Sequence, residues 1–215
     1  MFEDFKIKLK DELSTDLPGK AAHLIMMPTS GDAKLVTPTF ETPPIRSAVL
    51  ILFYPADDGS IKFPLIQRPT YNGAHSGQIA FPGGKAEDVD ANLVQTALRE
   101  AEEEIGINPK NVEVVGSLTD LHIAVSNFIV HPVVGFSSEM PDFVLDRIEV
   151  QALIESDLHD IVRPDKRKQG TVTARGKYKI NTPYFDIGDN VVWGATAMML
   201  SELSIIVGKT GILEI

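Results

Sequence analysis

The sequence predicts an α/β fold of the α+β type, in which helices and strands pack in layers, on three observations. Arg46 to Tyr54 (RSAVLILFY) is a nearly continuous apolar run rich in β-branched and aromatic residues, the signature of a buried strand. Asn92 to Ile105 carries apolar residues at helical spacing and ends at Gly106, with Pro109 beyond, a helix with its stop signals. Further strand-like runs at 112–119 and 127–136 follow that helix, so strands and helices alternate along one chain.

The remaining elements follow from the same rules. Phe2, Phe5, Leu9 and Leu13 recur at helical spacing and predict a short amphipathic helix over 2–13. Thr15 to Pro44 holds Pro18, Pro28, Pro38, Pro43 and Pro44 among Ser, Thr and Gly, and reads as an irregular arm wrapping the domain. The organisation expected is therefore an N-terminal helix and arm, 1–45, followed by one domain, 46–215. Asp57-Asp58-Gly59 supplies a turn that pairs the first strand with Ile61 to Arg68. A glycine-rich connection spans Pro69 to Lys85. A short helix near 155–162, a basic hairpin around 171–187 and a helix over about 193–207 complete the chain. No internal repeat or low-complexity segment interrupts it.

Composition narrows the function. Of 215 residues, 43% are apolar and 23% charged, the balance of a protein with a sizeable core rather than a disordered chain. Twenty Lys+Arg against thirty Asp+Glu give a net charge of −10, opposite in sign to the usual nonspecific nucleic-acid binder. No cysteine is present, which excludes a disulfide framework, a thiolate metal site and a cysteine nucleophile, and fits a reducing cytoplasm. MFEDFKIKLKDEL mixes charge throughout and lacks the apolar core of a secretory signal. Val191 to Val207 is apolar, but Glu202 in its middle favours a packed core helix over a bilayer span.

The residues that carry chemistry lie on the central helix: Arg99-Glu100-Ala101-Glu102-Glu103-Glu104-Ile105-Gly106-Ile107. At about 100° per residue, Glu100, Glu103 and Glu104 fall within one face, at the edge of the apolar stripe of Leu93, Val94, Ala97, Leu98, Ala101 and Ile105. Three like charges so close raise one another's pKa unless a cation compensates. Arg99, one turn before Glu103, neutralises part of that charge. The remainder calls for a hard divalent ion, and all-oxygen ligands favour Mg²⁺ or Mn²⁺ over zinc. Upstream, Gly73, Gly77, Gly83 and Gly84 permit close backbone approach to a ligand, and Arg68, His75 and Lys85 offer positive charge or donors to phosphate oxygens.

Arg99, Glu100, Glu103, Glu104, Gly106 and Ile107 resemble the second half of the Nudix box, G-x5-E-x7-R-E-U-x-E-E-x-G-U, where U is a bulky aliphatic residue; Ala101 stands at the first U. The first half departs from it. From Gly84 the glutamate position falls on Asp90, and one extra residue precedes Arg99, as in a one-residue insertion with Asp90 in place of the first glutamate. The arrangement R-x6-H-x-G-Q-I-x-F-P-G-G, from Arg68 through His75, Gln78 and Phe81 to Gly84, resembles the coenzyme A pyrophosphatase branch of that family. Glu149-Val150 and Trp193-Gly194-Ala195-Thr196-Ala197 resemble further elements of that branch.

The resemblance implies a Nudix-like α/β/α sandwich around a mixed β-sheet, and hydrolysis of the coenzyme A diphosphate to 4′-phosphopantetheine and adenosine 3′,5′-bisphosphate. It implies metal ligation by Glu100, Glu103 and Glu104, orientation of a carboxylate by Arg99, and Glu149 as general base or additional ligand. Arg68, His75, Gln78, Gly83, Gly84 and Lys85 would bind substrate. The basic stretch Arg163 to Lys179 is an expected contact for a 3′-phosphate. Two other readings stand beside it: a Nudix hydrolase of another nucleoside diphosphate derivative such as ADP-ribose or a dinucleotide, and a Nudix module that binds a nucleotide without cutting it. The expected partner is a small molecule, neither nucleic acid nor membrane; a homodimer through the N-terminal arm is an expectation that no specific motif supports.

Overall fold

The computed structural model describes residues 1–29, 39–70, 76–174 and 178–213. Its centre is the apolar run, β1 (Ile45–Pro55). Asp58 accepts hydrogen bonds from the backbone N–H and the hydroxyl of Ser60, and Gly59 has φ +81°, which turns the chain into β2 (Ile61–Gln67) with Tyr54 opposite Lys62. β3 (Ile79–Ala80) and β8 (Ala152–Asp157) flank β2 antiparallel. β4 (Gly83–Lys85) pairs with the start of β1, and β7 (Phe128–Ser137) runs parallel to β1 on its other edge, itself flanked by β5 (Val112–Ser117) and β6 (Leu121–Ile123). The sheet is therefore mixed, as expected.

Side-chain alternation along β1 divides the interior into two layers. Leu50 and Leu52 join Ala97, Ala101 and Ile105 of α3 (Leu93–Ile105) on one face. Ile51 and Phe53 join Phe5 and Leu9 of α1 (Phe2–Leu13) and Leu200 and Leu203 of α5 (Ala195–Lys209) on the other. The α1 layer is anchored by edge-on aromatic packing, with Phe5 and Phe53 ring centroids 5.2 Å apart at 84°. The N-terminal segment thus contributes to the same core as the rest of the chain.

Three details differ from the sequence reading. Within the proline-rich arm, Gly19–Ile25 forms a helix, α2, directly after its N-cap Pro18, and its first amide, Gly19 N–H, is satisfied by the distant Glu202 carboxylate. The stretch near 155–162 is the end of β8 followed by a shorter helix, α4 (Leu158–Val162), capped by the Asp157 carboxylate. The basic hairpin is a separate antiparallel sheet of β9 (Arg167–Ala174), β10 (Tyr178–Ile187) and β11 (Asn190–Trp193).

Helix α5 holds Glu202 fully buried, and no helix among the described residues is long and apolar enough to cross a membrane. The Glu202 carboxylate accepts hydrogen bonds from Gly19 N–H (3.0 Å), from the Thr119 hydroxyl (2.7 Å) and from His23 Nε2 (2.9 Å). A carboxylate only accepts, so the imidazole donates from Nε2. Burial raises the pKa of Glu202, but the hydrogen bonds from His23, Thr119 and Gly19 outweigh it and hold the group below its ordinary value. A depressed folded pKa stabilises above the unfolded value, near 4.5, and that contribution disappears as pH falls through the folded one. Thermal melts from pH 7 downward should therefore show stability falling below that point. Glu202→Gln should lose about 1–3 kcal/mol at pH 7 in urea titration, since an amide cannot satisfy these three donors and that of the Thr119 N–H as well, and should show a shallower acid slope.

Candidate active site

Helix α3 is fixed at both ends. The Asn92 side chain accepts from Gln95 N–H at its start. At its end Gly106 adopts φ +73°, and a Cβ there would stand 2.8 Å from Val144. The loop around Val144 hydrogen-bonds to the last turn, Val144 N–H to the Ile105 carbonyl and Asp146 N–H to the Glu104 carbonyl, both at 3.0 Å. These contacts draw in the chain that continues to Glu149.

Arg99 is the hub of the acid cluster. Its guanidinium makes a bidentate pair with Asp90, Nε to Oδ1 at 2.9 Å and Nη2 to Oδ2 at 3.0 Å. Nη1 donates to Glu100 Oε1 and Glu103 Oε2, each at 3.0 Å, and Nη2 donates to the Lys85 carbonyl at 3.0 Å. Asp90 also accepts from Glu87 N–H and from the Thr96 hydroxyl. Hydrogen bonding from Arg99 holds the Asp90 carboxyl well below the usual carboxylate range and raises the already high pKa of Arg99. The residue at the position of the first box glutamate therefore anchors the arginine, a role that its place nine residues before Arg99 did not disclose.

The glycines of β4 let the helix approach the sheet. Gly83 has φ +152°, and a Cβ there would lie 2.3 Å from the Ala48 carbonyl oxygen. At Gly84 a Cβ would lie 2.2 Å from Glu100 Oε2, so the Glu100 carboxylate occupies the space of the missing side chain. Gly83 N–H donates to Glu104 Oε2 at 2.7 Å. Glu104 is 1% exposed. Burial pushes its pKa up to about 7; Gly83 and Arg68 oppose the shift, and the charges of Glu100 and Glu149 add to it. Burial likewise raises Glu100, with Arg99 opposing and Glu103 and Glu149 adding. Glu103 is exposed and reaches out beyond Arg99.

Glu100, Glu104, Glu149 and Arg68 are thus electrostatic neighbours, although Glu149 lies 45 positions after Glu104 in the sequence. Gly77 N–H and Arg68 N–H bond to the Pro69 and Gln78 carbonyls, at 3.1 and 3.0 Å, closing the base of the loop that carries Gln78. Lys85 contributes its carbonyl to Arg99 and leaves its side chain exposed. His75 lies outside the described residues.

The donor set is all oxygen, and mutual repulsion with burial makes two of its carboxylates reluctant to ionise, which fits a hard divalent cation as the missing counter-charge. Among the described residues no three carboxylate or imidazole groups form a closed ligand cluster; the acids are spread along one turn and the facing loop.

Several cations of the basic stretch have acidic neighbours. Arg163 pairs with Asp165, Lys166 with Asp160, and Lys168 with Asp186. Arg167 donates to the Ser204 hydroxyl and lies over the Phe185 ring. Arg175 and Lys177 are outside the described residues.

Comparison with known proteins identifies the family and the fold. Residues 44–165 match the NUDIX domain model. Nudix hydrolase 15, mitochondrial, of Arabidopsis thaliana is 37% identical over 73% of this chain, and Nudix hydrolase 22, chloroplastic, of the same plant is 33% identical over 76%. In each case the match spans 56% of the plant protein's length. The uncharacterized Nudix hydrolase NudL of Shigella flexneri is 35% identical over 68% of this chain and 75% of its own. Among solved structures, the Nudix hydrolase RenU of M. smegmatis superposes with a TM-score of 0.56 over 88% of this chain and 98% of its own, at 18% identity. A MutT/nudix protein of Enterococcus faecalis gives 0.50 over 80% of this chain and 64% of its own, also at 18% identity. With the box helix, its glycine strand and the sheet between two helical layers all in place, the chain belongs to the Nudix family.

Proposed function

We propose that this protein is a metal-dependent pyrophosphohydrolase that cleaves the diphosphate of coenzyme A, or of its derivatives, to 4′-phosphopantetheine and adenosine 3′,5′-bisphosphate. The observation that carries the chemistry is the Arg99 hub, which holds Glu100 and Glu103 on one side and is itself locked by Asp90. The loop from Arg68 to Gly84 supports the substrate assignment through its resemblance to the coenzyme A branch.

Nudix hydrolases generally use divalent cations. When bound by Glu100, Glu103 and Glu104, Mg²⁺ or Mn²⁺ supplies charge screening for the diphosphate and acidity for an attacking water. The chain's own groups do the rest. Arg68, close enough to lower the pKa of Glu104, directs positive charge toward the phosphate oxygens. Gly84, without a side chain, leaves Glu100 against the strand. Glu149, exposed beside Glu100 and Glu104, is placed in the scheme as the base that takes a proton from water. Water adds across the P–O–P bridge, its oxygen bonding to one phosphorus while the bridging oxygen leaves with the other phosphate.

A second substrate reading has one observation in its favour. The described cations Arg163, Lys166 and Lys168 are each paired with a nearby carboxylate, which leaves less charge for a 3′-phosphate and suits a diphosphate such as ADP-ribose or a dinucleotide. Turnover of coenzyme A, 3′-dephospho-coenzyme A, ADP-ribose and NADH in parallel with Mg²⁺ or Mn²⁺ separates the two. Coenzyme A should have the highest kcat/KM, and a clear preference for ADP-ribose or NADH would replace this assignment.

Glu103→Gln should lower kcat by about 10²-fold or more while leaving the thermal melt nearly unchanged, because Glu103 is exposed and its loss removes charge rather than packing. Full activity in that variant would remove Glu103 from the mechanism. Asp90→Asn should act on both properties. With half of the bidentate pair gone, unfolding in urea should come about 1–3 kcal/mol sooner, and kcat should fall because Arg99 no longer holds Glu100 and Glu103.

A further inference from the structure

The second sheet carries a feature that the hydrolytic chemistry does not use. Its inner face is packed: Phe185, Ile187 and Val192 are buried in the core beneath it. On the opposite face, register places Lys168 beside Tyr184 and Tyr184 beside Trp193, one row across three strands. Both aromatic side chains are only half-buried. A cross-strand aromatic pair adds modestly to the stability of a sheet, and its half-exposed rings also present a surface on which a flat ligand can stack.

Gly170 shapes this face. A Cβ at that position would lie 3.0 Å from Tyr184 Cε1, so the tyrosine ring is laid over bare backbone. The result is a hollow of about 330 Å³ lined by Gly170, Val172, Tyr184, Val191 and Trp193. Tyr184 and Trp193 are its aromatic lining, beside valine, glycine, Thr171 and Thr173, and Lys168 at the end of the row is paired with Asp186. Two rings side by side on an open sheet face are an element of nucleotide binding, because any base has a π-face to stack.

The sheet also adjoins the glycine loop. Thr196, three residues after Trp193, donates from its hydroxyl to the Ile79 carbonyl at 2.9 Å, and Ile79 opens the run that leads to Gly83 and Gly84. We propose that the Lys168–Tyr184–Trp193 row over Gly170 is a stacking platform for the purine ring of a nucleotide substrate. This rests on the reading of the protein as a nucleoside diphosphate hydrolase and assigns the base a place on the second sheet, away from the acidic helix.

Trp193 is the only tryptophan in the sequence, so its fluorescence reports on the platform alone. The full chain, without added divalent metal, is titrated with adenosine 3′,5′-bisphosphate and, in parallel, with ribose 5-phosphate, which has no ring to stack. The purine compound should quench Trp193 saturably and the sugar phosphate should not. Gly170→Val, which displaces the Tyr184 ring, and Tyr184→Ala should each weaken the purine response about tenfold or more. Circular dichroism identifies any variant that fails to fold, and the other then decides. An equal response to both ligands, or an unchanged affinity in a folded variant, overturns the proposal. Hydrolysis is measured separately: turnover of a purine diphosphate without quenching overturns the platform and leaves the hydrolase reading standing, whereas quenching without turnover does the reverse.

Discussion

A single guanidinium organises the candidate active site. Arg99 makes five hydrogen bonds, to Asp90 twice, to Glu100, to Glu103 and to the Lys85 carbonyl. A planar fork of fixed geometry can hold acids from three directions at once, which a lysine in the same place cannot. Through these bonds the loop before the helix, the helix itself and the glycine strand share one reference point. Asp90, almost shielded from water and supported by Thr96 and the Glu87 amide, fixes the orientation of that fork.

The same cluster is held away from its electrostatic optimum. Burial makes both Glu104 and Glu100 resist ionisation, although the Gly83 amide opposes the effect at Glu104 and Arg99 opposes it at Glu100. A fold that only needed stability would place apolar side chains at these positions. Carboxyls whose charge is disfavoured by burial and by one another cluster at functional sites, and here they face the two side-chain-free positions Gly83 and Gly84.

Outside the site, the molecule is tied together by contacts between segments far apart in the chain. Glu202 of the last helix receives the amide that opens α2, the imidazole of His23 and the hydroxyl of Thr119. Phe5, Leu9 and Leu13 of the first helix close the sheet layer opposite α3. The N-terminal helix therefore shares with α5 the covering of one face of the sheet, and both lie outside the matched range 44–165. The second sheet, packed on the same core, lies wholly outside the matched range, since β9 begins at Arg167 and the match ends at 165.

By itself the sequence determined the local elements and the identity of the acids. Helical spacing, the glycine stop and the apolar run of β1 depend on neighbours within a few residues, and so do the positions of Glu100, Glu103 and Glu104 along one turn. The proline-rich arm concealed α2, because a short helix there is stabilised by Glu202, far away in the chain, rather than by its own propensity. The role of Asp90, the approach of Glu149 and Arg68 to Glu104, and the alignment of Lys168, Tyr184 and Trp193 were decided only by tertiary structure. Each depends on two segments meeting in space, and a one-dimensional pattern carries no term for the burial and charge that such a meeting creates.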